Sequence, residues 1–339
     1  MRISDFCHFV QGKNGLVAMY NALTLGVVIV DKATADVFQQ SARGIVPISK
    51  IQDLPHEQRE SLLARLSENK LVFPLSENPD HDDYCQIRKG LNCANIGILY
   101  LLMTDACNFG CSYCYIESGM PENHVPSTMS LETAKKGINL FAQVLRNNHD
   151  QVDPQIIIYG GEPLLNFSVL SKSMEYVTQL KMSGALPENT TITLNTNGSL
   201  IDEKIADALK KVENLDVAIS LDGPEDVHDA CRKYHSGKGT FADTLRGSSL
   251  LLDRGISTGF SCTITKHNLD NLYEVSKWFV EEFGVKSFGF NILIDGPGMD
   301  DIKGDRDSYA QETASQIIKC FQYFREVGIH EDRIMRKVN

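Results

Sequence analysis

Ile96-Gly97-Ile98-Leu99-Tyr100-Leu101-Leu102-Met103-Thr104 runs directly into Asp105-Ala106-Cys107-Asn108-Phe109-Gly110-Cys111-Ser112-Tyr113-Cys114-Tyr115. The first segment is an apolar run of the kind that forms a buried strand. The second carries three cysteines spaced Cys-x3-Cys-x2-Cys. Three thiolates on one tight loop can hold three irons of a four-iron cluster, which usually takes four cysteines. The absent fourth ligand leaves one iron open to bind and activate a small molecule. Zinc is the alternative occupant, but it asks for four ligands, commonly in paired spacings. His124 is the nearby residue that could complete such a set.

Outward from this loop the chain alternates. Strands are predicted over 96–104, 155–159, 190–195, 216–221, 257–265 and 286–294. Helices are predicted over 130–147, 168–182, 202–212, 240–254 and 269–283, with a last one over 307–326. Alternation of this type implies a parallel sheet, either an open barrel or doubly wound. Functional residues then gather at the carboxyl ends of the strands. After the cysteine loop, those ends read Tyr159-Gly160-Gly161-Glu162-Pro163, Asn195-Thr196-Asn197-Gly198, Ser220-Leu221-Asp222-Gly223-Pro224, Thr263-Ile264-Thr265-Lys266-His267-Asn268 and Asn291.

The cysteine loop and the Tyr-Gly-Gly-Glu-Pro motif at the next strand end together resemble the radical S-adenosylmethionine (AdoMet) superfamily over about residues 95–300. Ser220 to Pro224, followed by His228-Asp229, Arg232 and Gly239-Thr240-Phe241, is similar to a pattern of its SPASM-type group. These are peptide- and protein-modifying maturases that carry extra cluster domains. The resemblance implies a partial (β/α)6 barrel in which Cys107, Cys111 and Cys114 hold a [4Fe-4S] cluster and AdoMet chelates the open iron. It implies that Gly160, Gly161 and Glu162 receive the AdoMet ammonium and that Tyr113 sits near adenine. Asn195 and Ser220 would meet the ribose or the methionyl end, and Arg232 would pair with the AdoMet carboxylate. The implied activity is reductive cleavage of AdoMet, with an electron from an external donor, and hydrogen abstraction from substrate.

Plain structural readings stand beside these. The two glycines also suit an ordinary strand-to-helix turn, Asn195 and Ser220 suit helix caps, and Arg232 suits a surface ion pair. Asp222, Lys266, His267 and Asn268, like Tyr234 and His235, either line the substrate side or only close turns. No catalytic residue is identifiable.

Residues 1–75 read as a small α+β domain. His8-Phe9-Val10 and Leu16 to Tyr20 flank a hairpin signal at Gly12-Lys13-Asn14-Gly15, Val27 to Val30 is a further strand, and Leu71-Val72-Phe73 returns as another. Lys32 to Gln40 and Pro55 to Asn69 read as helices. This order resembles the winged-helix-like domains of ribosomal-peptide maturases, which take a leader peptide by strand addition. An accessory domain that merely packs is the bland alternative. Residues 76–94 are polar and acidic and read as a linker, 95–305 as the barrel, and 306–339 as a C-terminal helix leading toward an auxiliary cluster domain. Only Cys320 follows Cys262, so that domain is missing here and the sequence is expected to be a piece of a longer protein.

Composition narrows the function. Across 339 residues, Lys+Arg 33 against Asp+Glu 44 gives a net charge of -11, which disfavours nucleic acid and anionic membrane as partners. No apolar run approaches the roughly 18 residues of a spanning helix, and no secretion signal opens the chain, so a cytoplasmic location is expected. Nine cysteines, three of them clustered, favour metal binding over a disulfide scaffold. Cys262, in a strand-like run, reads as plain core. The expected function is modification of a precursor peptide or protein, by thioether or carbon–carbon cross-linking. Epimerisation, side-chain oxidation, a small-metabolite substrate and a non-catalytic peptide-binding scaffold remain open at this stage.

Overall fold

The computed structural model describes residues 1–39, 45–46, 56–77, 79–91, 96–121, 123–147, 153–284, 288–293, 301–302 and 304–329. Gln40, Pro55, Cys93 and positions 286, 287 and 294, which carry parts of the sequence-based expectations, lie outside the described residues. The chain forms two compact units, Met1–Ala94 and Asn95–Asn339.

The first unit contains β1 (Arg2–Ile3), β2 (Cys7–Gln11), β3 (Leu16–Asn21), β4 (Val27–Asp31), α1 (Lys32–Gln39), α2 (His56–Glu68), β5 (Val72–Phe73) and α3 (Pro79–Leu91). β2, β3 and β4 form an antiparallel sheet, the first two joined at the expected hairpin. Alternate residues of β3 and β4 are buried, as a sheet with one covered face requires. Val17, Met19, Val28 and Val30 pack with Phe38 of α1 and Leu66 of α2 into the core of this unit.

The expected linker over 76–94 contains the helix α3. The acidic residues that suggested a linker lie in its first turn, as Asp80 and Asp82, while Arg88 and Lys89 close its last turn. That order of charge matches the helix dipole. Asp80 is buried and accepts hydrogen bonds from Ser4 Oγ at 2.8 Å and from Asp5 N at 2.7 Å. Lys70 pairs with Asp83 at 2.7 Å.

The second unit begins with β6 (Ile98–Leu102), α4 (Tyr115–Ser118), α5 (Leu131–Arg146), β7 (Gln155–Tyr159) and α6 (Phe167–Met182). It continues through β8 (Thr191–Thr196), α7 (Glu203–Leu209), β9 (Leu215–Ser220), α8 (Glu225–Cys231) and α9 (Phe241–Asp253). β10 (Ser257–Thr263), α10 (Leu272–Phe283), β11 (Phe288–Asn291) and α11 (Arg306–Glu326) complete it. β6 to β11 lie side by side in chain order and all pair in parallel. The sheet curls into the expected half-barrel, with β6 and β11 as its open edges. Ile156, Ile158, Ile192, Leu194, Val217, Ile219, Phe260 and Cys262 belong to the main core, so Cys262 is core as expected. Successive strand residues point to opposite faces. Tyr159, Asn195, Ser220 and Ser261 therefore line the inner face at the carboxyl ends.

Helices α4 and α8 were not anticipated. α11, expected to lead away from the barrel, packs into the same core through Tyr309, Cys320, Tyr323 and Phe324. Its Cys320 Sγ lies 3.2 Å from Ser276 Oγ of α10.

Replacing Asp80 with Ala removes the acceptor of the buried Ser4 hydroxyl and of the part-buried Asp5 N. The expected cost to the first unit is about 1–3 kcal/mol, with faster amide exchange across α3, checked by urea unfolding and hydrogen-exchange mass spectrometry.

Candidate functional site

The loop after β6 is held from three sides, chiefly by backbone. At the end of β7, Gly161 N donates to Thr104 O and Glu162 N to Ala106 O, both at 2.8 Å. Gly160 has φ +148°, and a Cβ there would stand 2.2 Å from Thr104 O; at Gly161 it would stand 2.3 Å from Ala106 O. The glycine pair is thus required by the passing cysteine-loop backbone. Beyond β8, Asn197 Nδ2 donates to Asn108 Oδ1, and Asn108 Nδ2 donates to Ser199 Oγ, both at 2.9 Å. After α8, Ser112 N donates to Cys231 O at 3.0 Å and Gly110 N to Lys233 O at 2.8 Å. Phe109 meets Tyr234 edge to face, and His235 Nε2 lies 3.2 Å from Cys107 O.

Cys107, Cys111 and Cys114 are half-buried and unpaired by disulfide. Burial raises the Cys107 thiol to about 11 and the Cys111 thiol to about 12, the latter against the pull of Arg232. The three sulfurs do not all lie within 4.8 Å of one another. Around one tetrahedral zinc they would stand about 3.8 Å apart. Three thiols on one loop suit the three cysteine-bound irons of a four-iron cluster that keeps one iron open. His124, the fourth zinc ligand weighed from sequence, faces Asp105 Oδ2 at 2.9 Å instead.

Glu162 is fully buried. Its Oε1 accepts from Leu164 N at 3.0 Å and Thr196 Oγ1 at 2.7 Å, and its Oε2 accepts from Asn197 N at 2.8 Å. Burial raises its carboxyl to about 7, opposed by those hydrogen bonds. The carboxylate thereby joins the ends of β7 and β8.

Asp222 is the centre of a second network. It accepts from Tyr113 Oη at 2.5 Å, Arg232 Nε at 2.8 Å, Arg232 Nη2 at 3.1 Å and Thr263 N at 2.8 Å. Burial opposes its ionisation, but the adjacent Arg232 guanidinium holds its carboxyl below the ordinary value. The fork that the resemblance assigns to the AdoMet carboxylate is thus turned, by Nε and Nη2, to a carboxylate of the chain itself. Arg232 also lies 5.3 Å from the Tyr113 ring centroid, within cation–π range. His228 closes the network. Asp222 N donates to its Nδ1 at 3.4 Å, its Nε2 faces Thr240 Oγ1 at 3.1 Å, and the Thr240 hydroxyl donates to Arg232 O at 2.8 Å. This order assigns the ring proton to Nε2. Burial depresses His228 to about 4.

Asn195 and Ser220 stand half-buried on the inner face. Asn268, which sequence left as substrate-lining or turn-closing, is fully buried and donates to Asp222 O at 3.1 Å and Thr263 O at 2.9 Å, so it closes the turn after β10. Asn108, Asn197 and Ser199 hold the cysteine loop without having been singled out for that role. The Asn-Thr-Asn-Gly run flagged the strand end, but nothing local signalled its contact with residue 108.

The profile of the Radical SAM superfamily matches residues 101–279, and the chain belongs to that superfamily. The cofactors of this class are a [4Fe-4S] cluster and AdoMet, and three free thiols on one loop suit the cluster. The uncharacterised protein MJ0907 of Methanocaldococcus jannaschii is 36% identical over 195 residues, covering 58% of this chain and 62% of that protein. The serine-type anaerobic sulfatase-maturating enzyme of Bacteroides thetaiotaomicron is 27% identical over 180 residues, covering 52% of this chain and 41% of the enzyme. Streptococcus suis SuiB, solved bound to its precursor peptide SuiA, matches the fold with a TM-score of 0.52 at 16% identity, over 96% of this chain and 71% of SuiB. The chain spans about half the length of the curated relatives it matches. Among the described residues no helix is long and apolar enough to cross a membrane.

Two predictions follow from the buried network. Asp222→Asn leaves Arg232 buried without a counter-charge, at an expected cost of about 3–5 kcal/mol. The double variant Asp222→Asn/Arg232→Met should cost less than the sum of its single changes, measured by urea unfolding of all four proteins. His228, near 6.5 when unfolded and about 4 when folded, favours folding fully above pH 6.5. Its contribution, about 3 kcal/mol, is lost as pH falls toward 4. His228→Gln should flatten stability against pH across that window in the same unfolding assay.

Proposed function

We propose that this chain is a radical AdoMet enzyme that modifies a peptide or protein substrate. The observation that carries the reading is the cysteine loop, with three thiols on one turn clamped by the neighbouring strand ends. In this reading Cys107, Cys111 and Cys114 hold the [4Fe-4S] cluster. When bound, the cluster and AdoMet supply reductive cleavage of the sulfonium and hydrogen-atom abstraction from substrate. An external donor provides the electron.

The chain's part is binding and orientation. The backbone at Gly160 and Gly161 offers carbonyls to the AdoMet ammonium. Asn195 and Ser220, on the inner face, meet its ribose or methionyl end. Glu162 shapes the same site by fixing Thr196 and Asn197. Tyr113 and Arg232 do so through their shared carboxylate, Asp222. With Arg232 and Tyr113 so engaged, they serve as positioning residues.

The peptide substrate is supported by the sulfatase-maturating relative, by the precursor peptide in the SuiB structure, and by the first unit. In its sheet β2 and β4 are edges, which an extended peptide can join as an added strand. Strand register aligns Val10, Ala18 and Ile29 in one row and His8, Tyr20 and Val27 in the next. Val10, Val27 and Ile29 are exposed, giving such a strand apolar side chains to meet. Cross-linking, by thioether or carbon–carbon bond, is the reading for the modification itself. Cysteines with no disulfide among the described residues suit a reducing cytoplasm.

Cys111→Ala should abolish the cluster's visible absorbance and the formation of 5′-deoxyadenosine from AdoMet under anaerobic, reducing conditions. Retention of both by the variant would refute the assignment. Ile29→Lys should weaken binding of a cognate precursor peptide about tenfold, or ~1.4 kcal/mol, while peptide-independent AdoMet cleavage is unchanged, as read by fluorescence anisotropy and chromatography. Unaltered peptide affinity would remove the first unit from substrate recognition and favour a small-molecule substrate.

A further inference from the structure

A second group of metal-ligating side chains lies beside the cysteine loop and plays no part in the reading above. Cys231 ends α8, His267 lies in the turn after β10, and Asp301 precedes α11. One ligand atom from each falls within 4.8 Å of the other two. Among the described residues this is the one set of three His, Cys, Asp or Glu ligands so gathered. We propose that Cys231, His267 and Asp301 form a second metal site, for one divalent transition ion of the zinc class.

The surroundings hold the three ligands in place. Thr265 Oγ1 accepts from the backbone His267 N at 3.2 Å and from the Cys231 thiol at 3.6 Å, so one hydroxyl ties Cys231 to the turn that carries His267. Lys266 N donates to Asp301 O at 2.6 Å, tying the third to the same turn. The backbone bonds hold the turn and Asp301 together, and the Thr265 hydroxyl and Lys266 Nζ are the outer contacts that reach ligand side chains, at Cys231 and Asp301. Cys231 and Asp301 are buried while His267 is exposed, so the site has a sheltered floor and an open side.

Around a tetrahedral ion with bonds of 2.0–2.3 Å, ligand atoms stand about 3.4–3.8 Å apart, so each pair closes by at most about 1.4 Å. Thiolate with imidazole selects zinc-like ions over magnesium or calcium. Three protein ligands leave a fourth position for water or an anionic group. Lys266 Nζ lies 3.1 Å from Asp301 Oδ1, and the other carboxylate oxygen can serve the ion. On binding, the Cys231 thiol proton passes to solvent. Ser112 N donates to Cys231 O, so the ion would sit against the cluster loop without sharing its cysteines.

The test counts metal. In the full chain carrying Cys107→Ala, Cys111→Ala and Cys114→Ala, one zinc should bind per chain. Cobalt in its place should give a sulfur-to-metal charge-transfer band in the near ultraviolet. Adding Cys231→Ala should remove both signals. No zinc in the triple variant, with its fold intact by circular dichroism, would overturn the proposal, as would zinc retained without Cys231. The cluster-loaded parent is compared with exposed His267→Ala, so the answer does not depend on the triple variant folding. The single variant should keep its iron and lose one zinc per chain, and equal zinc in both would overturn the proposal. Iron content reports the cluster separately, so failure here leaves the radical reading untouched.

Discussion

A carboxylate buried at the end of a parallel strand must be given enough donors to stay charged, and Asp222 is given four. They come from the cysteine loop through Tyr113, from the end of β10 through Thr263, and twice from Arg232. Desolvating an ion pair this deeply costs several kcal/mol per ion, and the mutual attraction offsets it only when the remaining hydrogen bonds are also made. The consequence is geometric. Three separate β/α connections must reach one point before the pair is stable, so the pair sets where the cysteine loop lies relative to the fourth and fifth strands of the barrel.

Glu162 shows what happens without a cation. It is as buried as Asp222 and accepts three hydrogen bonds, yet its carboxyl rises to about 7 where Asp222 is held low. Burial disfavours the charged form of both, and at Asp222 the facing guanidinium is the largest of the opposing causes. Glu162 joins β7 to β8 with its carboxyl raised to about 7, while Asp222 and Arg232 form a charge-balanced pair in the second network.

Much of this was legible in sequence. Alternating apolar runs located the six barrel strands, because strands buried by helices leave a strong signal in the chain. The cysteine spacing marked the loop proposed to carry the cluster, because its three thiols are close neighbours in sequence. The run from Ser220 to Phe241 was visible as a pattern, but its physics was not. His228, Asp229, Arg232 and Thr240 make sense only once hydrogen bonds across the fold are known. Asp229 Oδ1, for example, accepts from Thr240 N and Phe241 N at the start of α9. α3 was misread because acidic composition resembles a linker when the dipole and the partners of Asp80 are unseen. The contacts between 108–112 and 231–235 join residues more than a hundred positions apart, and no local propensity encodes them.

The same contacts bear on how the loop meets its cofactor. Burial raises the Cys107 and Cys111 thiols, so these two offer no charge to shape the loop. Its shape comes chiefly from bonds that involve no sulfur, beside those from Phe109 N to Cys107 Sγ at 3.4 Å and from Glu117 N to Cys114 Sγ at 3.5 Å. Backbone donors at 110, 112, 161 and 162 and the amides of Asn108 and Asn197 fix it. A loop held this way is set before any metal arrives, and in the proposed reading its three thiols would have only their protons to give up. Preorganisation of that kind puts the ordering cost into folding and leaves the binding energy for the ligand bonds.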